Sequence, residues 1–208
     1  IRNSIINGEI FDEKIFTTIK NLIKPNSIVI DVGANFGQMS ILWSKCKPDV
    51  EVYSFEASDY IFQILEKNIK INKSNVKPFN YLVGNESNEN LFIKKPNLSD
   101  FTTYGSNQLK KVDNKNIEDI EKVKAIKIDD LKFNKSISVM KIDVQGYDLE
   151  VLKGAKNTIN IHKMPIIFEY EKDFENKPNY KFDNFKKFIE NINYKIDHKI
   201  DDTNYLIL

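Results

Sequence analysis

The chain has 208 residues, 31 lysines and arginines against 30 aspartates and glutamates, 41% hydrophobic residues and one cysteine. A chain of this length buries a full core without staples, while a lone Cys46 excludes an intrachain disulfide and a multi-cysteine metal site. A net charge of +1 argues against a nucleic-acid partner gripped by a broad basic field.

No segment approaches the roughly 20 apolar residues of a membrane span, and the first thirty residues lack the order of a signal peptide. A soluble protein is expected, and the single thiol fits a reducing, cytoplasmic setting. One domain over residues 1–208 is expected, with an N-terminal helix region at 1–26 and an inserted polar loop at 94–116 holding Pro96 and Gly105.

The elements alternate. Phe16, Ile19, Leu22 and Ile23 recur at helical spacing until Pro25 and Asn26 stop them, and the unbroken run Ile28-Val29-Ile30 reads as a strand buried on both faces. A helix over 37–44, a strand over 52–55 and a helix with Ile61, Leu65 and Ile69 on one face come next. Residues 76–83 read as a third strand, followed by strand-like pieces at 91–93 and 123–128. The alternation resumes with strand 139–144, helix 149–158, strand 166–168, helix 182–192 and the pieces 194–196 and 205–208. This pattern calls for an α/β fold, a mostly parallel sheet with helices on both faces.

Such sheets bind ligands beyond the carboxyl ends of their strands, where the strand order reverses. Gly33, Ala34, Asn35, Phe36 and Gly37 follow the first strand, and glycines there allow a sharp turn and close approach of a ligand to the backbone. Glu56, with Ala57 and Ser58, ends the second strand about twenty residues on, where an acid takes the hydroxyls of a ribose. Asn35 stands where a dinucleotide fingerprint needs its second glycine, which weakens a nicotinamide reading. Asp31, just before the glycines, suits a cationic ligand such as the sulfonium and amino group of S-adenosylmethionine. Leu82 and Val83 near the third strand complete the expected cofactor contacts.

Asp143, Gln145 and Gly146 follow a later strand, and Lys141 shares a strand face with Asp143 by period two. Lys141 is equally readable as an ion-pair partner or a substrate contact. Asp143 is the first choice for base or acceptor anchor and can also cap the following helix. His198, in a polar turn, is a secondary candidate base, and Glu169, closing a strand at the same edge, a substrate contact. Phe101, Tyr104 and Ser106 of the polar loop supply rings and a hydroxyl suited to a sugar.

These pieces together resemble the FkbM family of class I S-adenosylmethionine-dependent methyltransferases. The matching residues are Val29-Ile30-Asp31-Val32-Gly33-Ala34-Asn35-Phe36-Gly37, Ser54-Phe55-Glu56-Ala57-Ser58, Ile128-Asp129-Asp130-Leu131 and Pro165-Ile166-Ile167-Phe168-Glu169. A further match begins Met140-Lys141-Ile142-Asp143-Val144-Gln145-Gly146-Tyr147-Asp148 and runs on to Ala155, and its part from Asp143 to Ala155 is the most family-specific. The family often has Pro where Ala57 stands and Glu where Gln145 stands. The resemblance implies a Rossmann-like, seven-stranded sheet whose last strand is antiparallel, with S-adenosylmethionine bound over the first two strands. Asp143 and Gln145 then join Asp31, the glycine loop, Glu56 to Ser58, Leu82 and Val83 as cofactor contacts.

The implied activity is O-methylation of a hydroxyl on a sugar, glycoconjugate or secondary metabolite, with a small molecule or glycan as acceptor, no nucleic acid and no resident metal. A divalent cation beside the acceptor is an alternative route. A Rossmann-type oxidoreductase and a non-catalytic cofactor- or partner-binding module are the other classes, and turnover with a labelled methyl donor separates them.

Overall fold

The structure is a computed structural model, and it describes residues 6–87, 91–95, 120–176 and 180–208. In chain order the first elements are α1 (Glu13–Leu22), β1 (Ile28–Val32), α2 (Gln38–Trp43), β2 (Glu51–Phe55), α3 (Asp59–Asn72), β3 (Val76–Phe79) and β4 (Leu82–Val83). Then come β5 (Leu91–Lys94), β6 (Ile120–Val123), β7 (Ala125–Ile126) and β8 (Ile137–Ile142). The chain continues through α4 (Asp148–Gly154), α5 (Lys156–His162), β9 (Ile166–Glu169), α6 (Phe182–Asn191), β10 (Ile196–Lys199) and β11 (Asn204–Ile207).

Seven strands form one sheet in the order β10-β11-β9-β8-β1-β2-β3. Its strands run parallel except β11, which is antiparallel to both β9 and β10. The chain builds outward from β1 to β3 in one direction and from β8 to β9 in the other. The order therefore reverses between β1 and β8, and the residues after these two strands flank the crevice there.

Every residue of β1, β2 and β8 is buried, as unbroken apolar runs require when helices cover both faces. Ile28, Ile30, Val32, Phe55, Met140 and Ile142 pack with Leu149, Leu152, Ile159, Phe185 and Ile189 of α4, α5 and α6. The alternate residues Val29, Val52, Val139 and Ile167 pack with Ile15 and Ile19 of α1 and Ile41 and Trp43 of α2. By the same alternation Asp31, Ser54 and Lys141 belong to the α1–α2 face.

Three sequence expectations are corrected. Residues 76–83 are two strands: after Phe79 the chain leaves the main sheet, and Leu82–Val83 pairs in parallel with Ala125–Ile126. Asn80 marks the break, its side-chain amide donating to the backbone oxygens of Glu56 (3.0 Å) and Ala57 (3.2 Å). Likewise the piece at 123–128 splits into the last residue of β6, the whole of β7 and the start of a 3₁₀ turn over Ile128–Asp130.

The helix expected over 149–158 is broken at Ala155. Asp129 accepts from the backbone amides of Asn157 (3.0 Å) and Thr158 (2.8 Å), so α5 has a start of its own, capped from a distant segment. Most of the polar loop, including Phe101, Tyr104 and Ser106, lies outside the described residues. Among the described residues no helix is long and apolar enough to cross a membrane.

Candidate active site

The turn after β1 is built for close approach. Gly33 and Ala34 donate their backbone amides to the Phe55 carbonyl (3.0 and 2.9 Å), pinning the turn to the end of β2. Gly33 has φ +82°, and a Cβ there would lie 1.9 Å from the backbone oxygen of Asp143, so only glycine lets the β1 turn meet the end of β8. Asn35 is also left-handed, φ 51°, a conformation asparagine tolerates, and its side-chain oxygen accepts from the Phe36 amide at 2.8 Å. Gly37, again left-handed, turns the chain into α2.

Glu56 is held by that turn. Its Oε2 accepts from the Asn35 amide and its Oε1 from the Ser58 amide, each at 3.0 Å. Burial raises its carboxyl to about 7 against the lowering effect of these two bonds. A carboxylate oxygen accepts more than one bond, so both retain capacity for further donors. Leu82 and Val83 are buried in hydrophobic clusters, which makes them packing residues. Asn80 stands nearer that edge, with its side-chain amide donating to the backbone oxygens of Glu56 and Ala57.

Asp31 sits opposite Lys141 in the β1–β8 register, and the α2 helix closes over it. Ser54 donates to Ser40 Oγ (2.7 Å), and Ser40 donates to Asp31 Oδ2. Lys141 Nζ lies 3.8 Å from Asp31 Oδ1 and 3.1 Å from Asp143 Oδ2. Asp31 is only 1% exposed, so its expected direct contact with a cationic ligand is corrected: its charge is spent on Lys141 and Ser40. Lys141 is ion-paired with both carboxylates. Burial would lower its ammonium pKa, but Asp143 and Asp31 outweigh it and hold the pKa above its ordinary value. Burial would raise Asp143, yet Lys141 holds it below the ordinary carboxylate range.

Asp143 does not cap the next helix. Gln145 (φ 54°) and Gly146 (φ 84°) turn the chain first, and Asp148 accepts from the Gly146 amide at 3.2 Å. Gln145 Nε2 lies 3.3 Å from both Asp143 Oδ1 and Glu169 Oε2, and Thr203 donates to Glu169 Oε1 at 3.5 Å. Asp143, Gln145 and Glu169 thus come together at the carboxyl ends of β8 and β9. Sequence reasoning missed Ser40, Ser54, Asn80, Asp148 and Thr203. A serine inside the apolar run of β2 was the one signal pointing to Ser54.

His198 is not part of this group. It lies on β10, with β11 and β9 between it and β8, beside Glu13, Thr17 and Ile200, and its Nδ1 is 2.6 Å from Asp197. His198→Ala should leave cofactor affinity and turnover within about twofold of wild type, since surface changes away from a site are usually small. A loss above about tenfold in kcat would return it to the catalytic set. Among the described residues no group of three or more His, Cys, Asp and Glu side chains is arranged to hold a metal ion.

The sheet order, the lone antiparallel β11 and the glycine turn beside an acid at the end of β2 define the class I methyltransferase fold. The methyltransferase FkbM from Methylobacillus flagellatus superimposes with a TM-score of 0.58 at 20% identity, over 89% of this chain and 44% of that one. Precorrin-6y C5,15-methyltransferase from Geobacter metallireducens gives 0.53 at 12% identity, over 95% and 88%.

The family model for the methyltransferase FkbM domain matches residues 31–196, and the chain belongs to that family. It is 22% identical over 165 residues to Methyltransferase 1 of Beauveria bassiana, and 28% identical over 137 residues to the hexuronic acid methyltransferase AglP of Haloferax volcanii. These matches take in 72% and 64% of this chain, and 66% and 52% of the two relatives.

Proposed function

We propose that the protein is an S-adenosylmethionine-dependent O-methyltransferase acting on a hydroxyl of a sugar or glycoconjugate. The observation that carries this reading is the contact of Gly33 with the Asp143 carbonyl, which brings a cofactor-type turn and a half-buried carboxylate to one crevice. The likeness to a hexuronic acid methyltransferase supports a sugar acceptor.

When bound, S-adenosylmethionine supplies an electrophilic methyl group on a sulfonium. Gly33 to Gly37 give the backbone approach it needs, and Glu56 has acceptor capacity for two ribose hydroxyls. Asp31 acts from beneath, keeping Lys141 and α2 in place. Asp143 orients the acceptor hydroxyl and takes its proton at a carboxylate oxygen.

The test is mass spectrometry of an extract of the protein's own cell incubated with the purified protein and labelled methyl donor. Appearance of the label on a glycan hydroxyl is the expected result. Absence of S-adenosylmethionine binding in a calorimetric titration of the folded protein would end the reading.

Glu56 carries a separate expectation. Glu56→Ala should weaken S-adenosylmethionine binding by about 1–3 kcal/mol, the usual worth of hydrogen bonds to a charged group. The ribose hydroxyls favour the ionised carboxylate, so wild-type affinity should rise as pH passes upward through about 7 and level off above it. Calorimetry across pH checks both, with Glu56→Gln lacking that rise. Equal affinities for wild type and a folded Glu56→Ala protein would remove Glu56 from the site.

A further inference from the structure

Asp143 and Glu169 extend from neighbouring strands. Ile142 pairs with Phe168, which sets the next residue of each strand side by side at the same edge. One side-chain amide gathers both carboxyl groups, since Gln145 Nε2 reaches an oxygen of each at 3.3 Å. Two carboxyls held on one amide in a buried site favour keeping one proton between them, because like charges at close range repel.

The surroundings decide which group holds the proton. Lys141 Nζ stands 3.1 Å from Asp143 Oδ2 and 3.8 Å from Asp31 Oδ1, so of the two paired carboxyls it is Asp143 that has the cation as an ion-pair partner. Around Glu169 the charges are acidic: Asp143 after β8, Asp148 at the start of α4 and Glu171 just beyond β9. The Lys141 ammonium also acts on Glu169, but its ion pairs are with Asp143 and Asp31, and the groups that donate to Glu169 are neutral. Thr203 Oγ1 donates to Glu169 Oε1, and the Tyr180 hydroxyl donates to the Glu169 backbone oxygen at 3.5 Å.

We propose that Glu169 is the proton-bearing member of this pair at neutral pH and donates its hydrogen bond to Asp143, as a positioning residue that keeps Asp143 ionised and correctly turned. Burial, with the charges of Asp143 and Asp148, pushes the Glu169 carboxyl up to about 10, in agreement with that placement. The inference rests on the proposed function only for what Asp143 then acts upon. A hydroxyl entering here then meets a single carboxylate, Asp143.

The test is ¹³C NMR of protein labelled at the glutamate side-chain carboxyl, titrated with neither methyl donor nor acceptor present. One glutamate signal should remain in the protonated position at about pH 8, far above the ordinary value near 4. It should be missing in Glu169→Gln and in Glu169→Asp, either of which suffices if the other fails to fold. In Asp143→Asn it should persist but titrate at lower pH, the repelling charge being gone. The proposal is overturned if every glutamate carboxyl has ionised by about pH 8, or if the persistent signal survives in a Glu169 variant. Failure of the methyltransferase reading registers elsewhere, as absent S-adenosylmethionine binding, and leaves this titration unaffected.

Discussion

Lys141→Met is expected to destabilise the fold by about 3–5 kcal/mol at pH 7, the cost of leaving a buried carboxylate without its counterion. The lysine bridges Asp31 and Asp143, and its side chain is 10% exposed. Asp31 Oδ1 has no hydrogen-bond partner and sees Lys141 as its nearby cation. Methionine keeps the length and apolar character of the stem, so the change isolates the charge.

The pH dependence follows from the sign of the Asp31 shift. Burial holds the Asp31 carboxyl above its ordinary value even with Lys141 and Ser40 opposing it. Removing the cation raises it further, so the folded variant binds a proton more readily than the unfolded chain does. The variant therefore loses stability as pH rises and regains it as pH falls, and the deficit should be largest at neutral pH and narrow toward about pH 5. Urea denaturation of both proteins at the two pH values measures it. A deficit below about 1 kcal/mol at pH 7 would mean that Asp31 is neutral in the native protein.

Much of the sheet could be read in the sequence because its strands are unbroken apolar runs. Ile28 to Ile30 and Ile166 to Phe168 are buried on both faces and have no other plausible use. Residues 76–83 misled because the chain changes sheets within an apolar stretch, and only Asn80, a polar side chain serving two backbone carbonyls, marks the place. The break at Ala155 had no local signal, since the cap of α5 comes from Asp129, 28 residues away from Asn157.

The site was legible where its chemistry is backbone chemistry. Gly33, Asn35 and Gly37 take up left-handed conformations and announce a special turn by residue type alone. The side-chain partners were harder to read. Asp31 resembled a ligand contact because its position in the motif was visible, whereas the pairing with Lys141 depends on the β1–β8 register between residues more than a hundred positions apart. His198 carried the right chemistry for a base, and only the strand order places it on the outer strand.

Asp143→Asn should retain the fold and cofactor affinity while lowering kcat by at least about a hundredfold, within the range a positioned base contributes. Asparagine preserves the shape of the side chain and an oxygen that can accept from Lys141, and Lys141 keeps Asp31 as a counterion. What disappears is the ability to take a proton. Lys141 holds Asp143 ionised through neutral pH, so the wild-type residue is available as an acceptor, and the proton it takes is readily surrendered to water afterward. Because the carboxylate is needed when the acceptor hydroxyl reacts, the loss should fall on kcat more than on the Kd for S-adenosylmethionine. Steady-state kinetics with the acceptor recovered from cell extract, beside calorimetry with S-adenosylmethionine, separates the two quantities. Chelator should change neither. Activity abolished by chelator and restored by magnesium would transfer the activation of the hydroxyl to a metal ion, and near-normal turnover in Asp143→Asn would remove the base from this position altogether.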